Sequence, residues 1–514
     1  MKKLLLIALV VVFTAAGTVS EGLAQQKTPQ YGGILREIWA TGPRVLSYLP
    51  EMGPGDEQSI LPAAEKLMDY NAEKQLVPFL AESVTVAKDG KSITFKLRKG
   101  IKFTDGSDLN AEAVVWNYQL NIDAKRLQYR DKITKIEIID PYTIKFHITD
   151  YTNMLLHSYG WVPLFSKAAW DKAGDGNAEK SKEWARANIV ATGPFKLAEY
   201  KRDNYLRWVK NENYWQKGKP YLDGITIRYI PDSVTASAMM QAKEADFWLQ
   251  PPVKDQADLE KKGFLRQSGF GLPRMIYLNT KDPDSKFQNL KLREAVEYAL
   301  DKPAIAKALG FGYYTPLTMV APPGEWGYDP EYKGRPYDPA KAKQLIAEAG
   351  FPNGVKIKMT AMTGGTWPDE VAAIKRYLDD VGMTVDPDMA DPGRFFNMLW
   401  LQGWQDAALF LSGLDPNYLI TFHRTFGPQP MANYASFKRP PDLMTLAEKS
   451  LHLKTEAEQR AITKQLVRLM ADEALVIPFY LVPNTYIMPP YVHTTFFKEC
   501  MVTRRTFDEW MDKH

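Results

Sequence analysis

Six histidines, one cysteine and a broad scatter of acids are the side chains of this 514-residue chain that could carry catalysis or hold a metal. His147, His157, His423, His452, His493 and His514 include no pair spaced two, three or four residues apart, as a compact metal site requires. No metal or other cofactor is therefore expected. The lone cysteine, Cys500, can form no internal disulfide and reads as a small buried apolar residue. There is no Gly-x-Ser-x-Gly elbow, no His-Glu-x-x-His pair, no phosphate-cradling Gly-Lys-Ser/Thr loop and no dinucleotide fingerprint in context. Two catalytic carboxylates need no linear signature, which keeps a secreted enzyme as the lesser alternative. The other chemistry open to the chain is non-covalent recognition.

Two segments suit it. Thr360 to Pro368 (Thr-Ala-Met-Thr-Gly-Gly-Thr-Trp-Pro) lies between an expected strand and an expected helix from Asp369. Its glycines let backbone approach a ligand, and the following helix offers free N–H groups to an oxygen or anion. The alternative for this stretch is an ordinary strand–helix loop. Leu409 to Tyr418 (Leu-Phe-Leu-Ser-Gly-Leu-Asp-Pro-Asn-Tyr) is the second segment. Both occupy the carboxyl ends of strands, where open α/β sheets gather ligands. Flat rings at Trp39, Tyr48, Trp326, Trp367 and Tyr418 could stack on sugars or peptide groups, or serve as core. The candidate ligand set is Trp39, Thr41, Tyr48, Trp326, Thr363, Gly364, Trp367, Phe410, Ser412, Leu414, Asp415 and Tyr418.

The elements that must position these residues are legible in the spacing. Ile34 to Trp39 reads as an opening strand that ends in the turn residues Ala40-Thr41-Gly42-Pro43. Ser59 to Tyr70 has apolar residues at helical spacing and is expected to be a helix. Asp89-Gly90 predicts a two-residue hairpin turn before a strand in which Ile93, Phe95 and Leu97 alternate with polar residues. Asn110 predicts a helix cap ahead of Ala113-Val114-Val115-Trp116. Strands are expected over Lys135–Ile139 and Thr143–Ile148, and a helix over Ser233–Glu244. Farther on, Leu290 to Asp301 and Lys341 to Ala349 read as helices, Lys356–Met359 and Ala407–Leu411 as strands, and Asp369–Val381 as a helix. That alternation implies an α/β lobe.

The start of the chain reads as an export signal. Met1-Lys2-Lys3 is basic, Leu4 to Ala16 is apolar, and Gly22-Leu23-Ala24 supplies small residues, so cleavage after Ala24 is expected. The apolar run is shorter than the roughly 20 residues that span a bilayer. No cysteine sits at the cleavage site to carry a lipid, so a free protein retained in a periplasm is expected. The removed segment carries Lys2, Lys3 and Glu21, which takes the formal charge from +4 to +3. Spread over the remaining chain, that charge makes no nucleic-acid or membrane footprint. At 514 residues two or three domains are expected.

Asp89 to Trp116, together with Leu76–Ser83, Ala191-Thr192-Gly193-Pro194-Phe195, Asn211–Trp215, Pro220–Ile225 and Leu292–Lys302, resembles the ordered landmarks of the bacterial extracellular solute-binding proteins of family 5, the dipeptide, oligopeptide and nickel type. The resemblance runs from Tyr31 to about Tyr491. It implies an α/β, two-lobe periplasmic-binding-protein fold of cluster C type, with an extra subdomain in lobe one and a ligand cleft between the lobes. It implies a signal peptide over 1–24, lobe I over 25–268 with the subdomain at about 70–190, lobe II over 269–480, and a return to lobe I over 481–514. The crossings are expected at Gln267–Pro273 and Ile477–Pro483. The implied function is a receptor, not an enzyme, that captures a peptide or other polar oligomer as a monomer and delivers it to an inner-membrane ABC permease and its ATPase. A periplasmic sensor for a chemoreceptor is the alternative. Peptide-binding relatives carry an aspartate in the second loop that pairs with the ligand ammonium; Leu414 or Asp415 takes that position here, and Asp415 also fits a structural Asp-Pro. Some relatives place an arginine in the first loop, where this chain has Ala361-Met362-Thr363. These departures lean away from simple dipeptides. His423, after the second loop, leaves a nickel chelate as a further ligand class.

Overall fold

The computed structural model describes residues 28–430, 433–494 and 504–512. The export signal, its cleavage site at Ala24 and Cys500 lie outside the described residues. One sheet runs through the whole molecule. In chain order its strands are β1 (Ile34–Trp39), β2 (Phe195–Lys201), β3 (Tyr205–Lys210), β4 (Gly224–Tyr229), β5 (Phe247–Leu249), β6 (Leu265–Leu278), β7 (Val355–Met362), β8 (Met383–Ala390), β9 (Ala407–Leu411) and β10 (Val476–Met488). Their spatial order is β8-β7-β9-β6-β10-β5-β1-β4-β3-β2, with Thr315–Pro316 added against β10.

The long strands β6 and β10 pair antiparallel from Leu265–Met488 to Tyr277–Val476 and belong to both halves of the sheet. Val476–Tyr480 and Asn484–Met488 are buried, whereas Leu481, Val482 and Pro483 between them are half-buried. The strand is thus buried at both ends and less buried at a waist between them. Opposite that waist lie Gly271, Leu272 and Pro273, and the register breaks between Ser268 and Gly271. Prolines at 273 and 483 remove ladder donors, which leaves the waist with fewer hydrogen bonds to resist bending. This divides the molecule into two α/β lobes. In the first, β1, β4 and β5 are parallel; in the second, β7 is parallel to both β8 and β9.

A separate antiparallel sheet in the first lobe is ordered Ala81–Val86, Ser92–Leu97, Thr143–Ile148, Ile133–Asp140. Ile93, Phe95 and Leu97 are buried on one face, as their alternation predicts. Against this sheet packs the helix Ala111–Asp123, whose Asn110 side chain accepts the Ala113 N–H. Such a cap contributes about 1 kcal/mol.

Several elements depart from the sequence expectations. Ser59–Tyr70 is not a helix: a short helix covers Pro54–Ser59, and Met68–Tyr70 is a strand paired with Leu76–Pro78. Pro62 stops helical hydrogen bonding, while Pro54 at the first turn and the Asp56 side chain on the Gly53 N–H start the helix earlier. The Asp89-Gly90 hairpin closes where Ala87 N–H donates to Ser92 O, so its connection is four residues long, with Gly90 at φ +68°. The helix expected over Ser233–Glu244 ends at Gln241. The helix expected from Asp369 begins at Trp367, and β7 extends to Met362, which shortens the first candidate loop to Thr363–Thr366.

Candidate functional site

The strand directions define a cleft. Arg274 near the middle of β6 pairs with Leu411 at the carboxyl end of β9, so the loops after β7 and β9 point toward the waist. In the first lobe Ile38 lies beside Trp248, and Leu249 beside Tyr486, so β1 and β5 also run toward the waist. The carboxyl ends of two parallel sheets therefore face each other across the crossing strands, which is where ligands collect in such sheets.

Side chains and backbone of the first lobe reach the second over this cleft. Lys74, in the turn after Met68–Tyr70, reaches across to Glu325, with Nζ 2.9 Å from Oε1. Farther along, Asn153 N–H donates to Leu451 O at 2.9 Å, and its side-chain amide donates to Ser450 O. The Glu325 side chain is only 7% exposed, and its second oxygen, Oε2, is buried with no hydrogen-bond partner. Burial raises the Glu325 carboxyl above its ordinary range; Lys74 opposes that shift and Asp415 adds to it. Trp326, next in the chain, is half-buried beneath the Arg460 guanidinium, 4.5 Å from its ring centroid.

The loop after β9 is tightly tied. Ser412 N–H donates to Pro273 O, and Ser412 and Leu414 are buried. The Asp415 carboxylate accepts from Arg424 Nε at 2.8 Å and from Thr421 Oγ1 at 3.1 Å, while Asp415 N–H donates to that same hydroxyl. Arg424 also donates to Gly413 O at 2.6 Å. Tyr418 opens the next helix, fully buried, with no partner for its hydroxyl. Burial raises that phenol well above its ordinary value, with Glu325 adding to the shift.

Facing this loop from the first lobe is His157. Its Nδ1 lies 2.8 Å from Tyr70 Oη, and its ring stacks on Trp161, which in turn carries Lys66 Nζ 3.6 Å above its centroid. Burial lowers the His157 pKa to about 4, against the pull of Asp415. A neutral imidazole thus sits in the seam at pH 7. Deeper in the same lobe, Glu65 accepts from Tyr214, Thr192 and Trp215, and burial pushes its carboxyl up to about 7.

A second cluster lies at the floor of the cleft in the second lobe. The Trp367 ring stacks on Phe410 at 5.9 Å, and the Arg274 guanidinium lies over Trp367 at 4.2 Å. Arg274 Nε pairs with Glu370 at 3.2 Å, and Glu370 also accepts from Thr366 Oγ1. Trp367 and Phe410 are nearly fully buried, so Trp367 acts as a wall of the lobe core. Thr363 and Gly364 above it are exposed, with Gly364 at φ +82°, a conformation that favours glycine.

The remaining candidates sit apart. Trp39 is buried at the end of β1, its indole N–H donated to Glu37 at 2.8 Å, and Thr41 is exposed in the following bend. Tyr48 stacks on Trp170 and carries Arg186, both from the first lobe. His423 is sealed against Ser450 Oγ at 2.8 Å. Because Ser450 donates its own proton to Ala447 O, His423 donates through Nε2, and burial lowers its pKa to about 3. That geometry turns it away from metal chemistry. Lys74, Arg274, Glu325 and Glu370 escaped the sequence analysis, and His157 enters it only as a metal ligand: each is one charged or polar residue among many, and the partner of Glu325 lies 251 positions away.

Comparison with known proteins supplies a relationship. The model of the bacterial extracellular solute-binding proteins, family 5 (Middle), matches residues 75–429. Glutathione-binding protein GsiB of Shigella boydii serotype 4 (strain Sb227) is 35% identical over 337 residues, as is that of Escherichia coli (strain K12). Each match covers 64% of this chain and 64% of the relative, so the chain spans less than two thirds of the length of these relatives. The periplasmic binding protein DppA from Helicobacter pylori, in complex with the peptide STSA, superposes with a TM-score of 0.83 at 23% identity, over 94% of this chain and 99% of that one. AgaA from A. tumefacien R10, in complex with agropinic acid, gives 0.79 at 24% identity over 94% and 99%. These structures share the fold.

Proposed function

The chain belongs to the bacterial extracellular solute-binding proteins, family 5, and on that premise we propose that it is the receptor of an ABC importer. It captures a short peptide-like solute between its lobes and hands it to an inner-membrane permease and its ATPase. The observation that carries this reading is the arrangement of two parallel sheets with their carboxyl ends face to face across β6 and β10, bridged by Lys74 and Glu325. A cleft that two lobes close over is built for capture and release. Among the described residues, no helix is long and apolar enough to cross a membrane.

The solute class follows from the relatives and from the seam. GsiB is named for glutathione, and DppA holds a tetrapeptide. The Asp415 carboxylate is engaged by Arg424 and Thr421. A peptide would be held through its backbone and through seam residues, with Trp326, Thr363, Gly364, Ser412 and Leu414 near the cleft. Trp39, Thr41 and Tyr48 line the first-lobe side at most from its edge. The protein works as a monomer and carries out no chemistry on its ligand. Isothermal titration of unfolded and refolded protein with glutathione and with tri- and tetrapeptides tests this. Saturable binding, with the peptide recovered intact by mass spectrometry, is expected. Absence of binding across the peptide set overturns the solute class.

A further inference from the structure

The seam between the lobes contains a carboxylate oxygen that no group among the described residues satisfies. Glu325 Oε1 holds Lys74 across the cleft, but Oε2 is buried without a donor. The Tyr418 hydroxyl, within electrostatic range of Glu325, is likewise buried and unpartnered. Asp415, also within that range, holds Arg424 and Thr421 through Oδ2, and its loop is fixed by Arg424 on Gly413. A buried anionic oxygen with no donor is costly. Whatever fills the closed cleft must therefore bring N–H donors to this point. A primary amine carries three, and a charge-assisted bond from one of them satisfies the carboxylate oxygen.

We propose that Glu325 is the specificity-determining residue for the solute's amino group: Oε1 closes the cleft on Lys74 while Oε2 receives the amine. This deepens the solute-receptor reading and rests on it. The arrangement couples recognition to closure. With Lys74 across the cleft the Glu325 side chain is buried, and its Oε2 stays unsatisfied unless an amine is present. A solute lacking the amine therefore meets a carboxylate that resists burial.

The test is isothermal titration of refolded protein with two pairs of probes, triglycine against N-acetyl-triglycine and glutathione against N-acetyl-glutathione. Wild type should prefer the free amine at least about tenfold, as loss of a charge-assisted hydrogen bond implies. Glu325→Gln, which keeps the side-chain shape, should lower affinity for the free amine and erase the preference. Lys74→Met breaks the interlobe bridge but spares Oε2; it should weaken all probes together and keep the preference. If Glu325→Gln binds the free amines as wild type does, or keeps the preference, the assignment to Glu325 is overturned and the receptor reading stands. If Lys74→Met erases the preference as fully as Glu325→Gln, the bridge is the determinant and the assignment falls. If wild type binds neither member of either pair, the peptide reading itself fails and takes this inference with it.

Discussion

Replacing Asp415 by alanine should damage stability far more than ligand binding. The carboxylate accepts from Arg424 Nε at 2.8 Å and from Thr421 at 3.1 Å, and it ties the loop after β9 to the helix Tyr418–Thr425. Its removal leaves a guanidinium without its counter-charge. For a fully buried pair that costs about 3–5 kcal/mol. Here Asp415 is 16% exposed and Arg424 20%, and Arg424 keeps its bond to Gly413. Solvent access lowers the charge contribution to about 2 kcal/mol, and the lost Thr421 bond adds about 1 kcal/mol. A total near 3 kcal/mol corresponds to a fall of about 6–12 °C in Tm for a cooperative unit of about 150–250 residues. Asp415→Leu combined with Arg424→Met should recover most of that loss, because neither charge is then stranded. The assays are differential scanning calorimetry and peptide titration on refolded protein, with affinity expected to change by less than about fivefold, or about 1 kcal/mol. Asp415→Asn abolishing binding at an unchanged Tm would refute the reasoning and make Asp415 a ligand contact.

Other perturbations follow from the same geometry. A Cβ added at Gly271 would overlap the Leu481 side chain at the waist, so Gly271→Ala should cost about 1–3 kcal/mol and alter the waist between the lobes; unchanged denaturation and scattering would show that the waist tolerates the methyl group. Burial holds a proton on folded Glu65 up to about pH 7, whereas the unfolded chain releases it near 4.5. Its contribution is complete below about pH 4.5 and is lost as pH rises to about 7, a slope that Glu65→Gln should remove in urea titrations. His157 has the opposite sign, because the unfolded chain takes up a proton near pH 6.5 that the fold refuses until about 4. Stability is lost as pH falls through that window, and a His157→Asn variant that kept the same slope would place the titrating group elsewhere.

Local features of the fold were legible in the sequence because they are set by nearest neighbours. The Asn110 cap, the alternation of Ile93, Phe95 and Leu97, and the helices beginning at Leu290 and Pro339 depend on residues within a turn or two. Ser59–Tyr70 misled because its apolar spacing is helical while Pro62 forbids the hydrogen bonds. The crossing strands were recognised as segments but not as strands of 14 and 13 residues, because Gly271, Pro273 and Pro483 carry the signature of loops. The loops around Gly364 and Asp415 were found from strand-end reasoning, and both stand at carboxyl ends of parallel strands. Glu325 could not be found that way. Its meaning comes from Lys74, which only the folding of one lobe against the other brings within 2.9 Å.

Small-angle scattering from refolded protein, titrated with glutathione and tri- and tetrapeptides, tests solute capture between the lobes most directly. A saturable fall in radius of gyration should track binding, with Tm rising by the equivalent of about 2.7 kcal/mol at 100 times Kd and the peptide recovered unaltered. Binding without any change in radius would contradict closure over the cleft, and a chemically altered peptide would contradict a receptor.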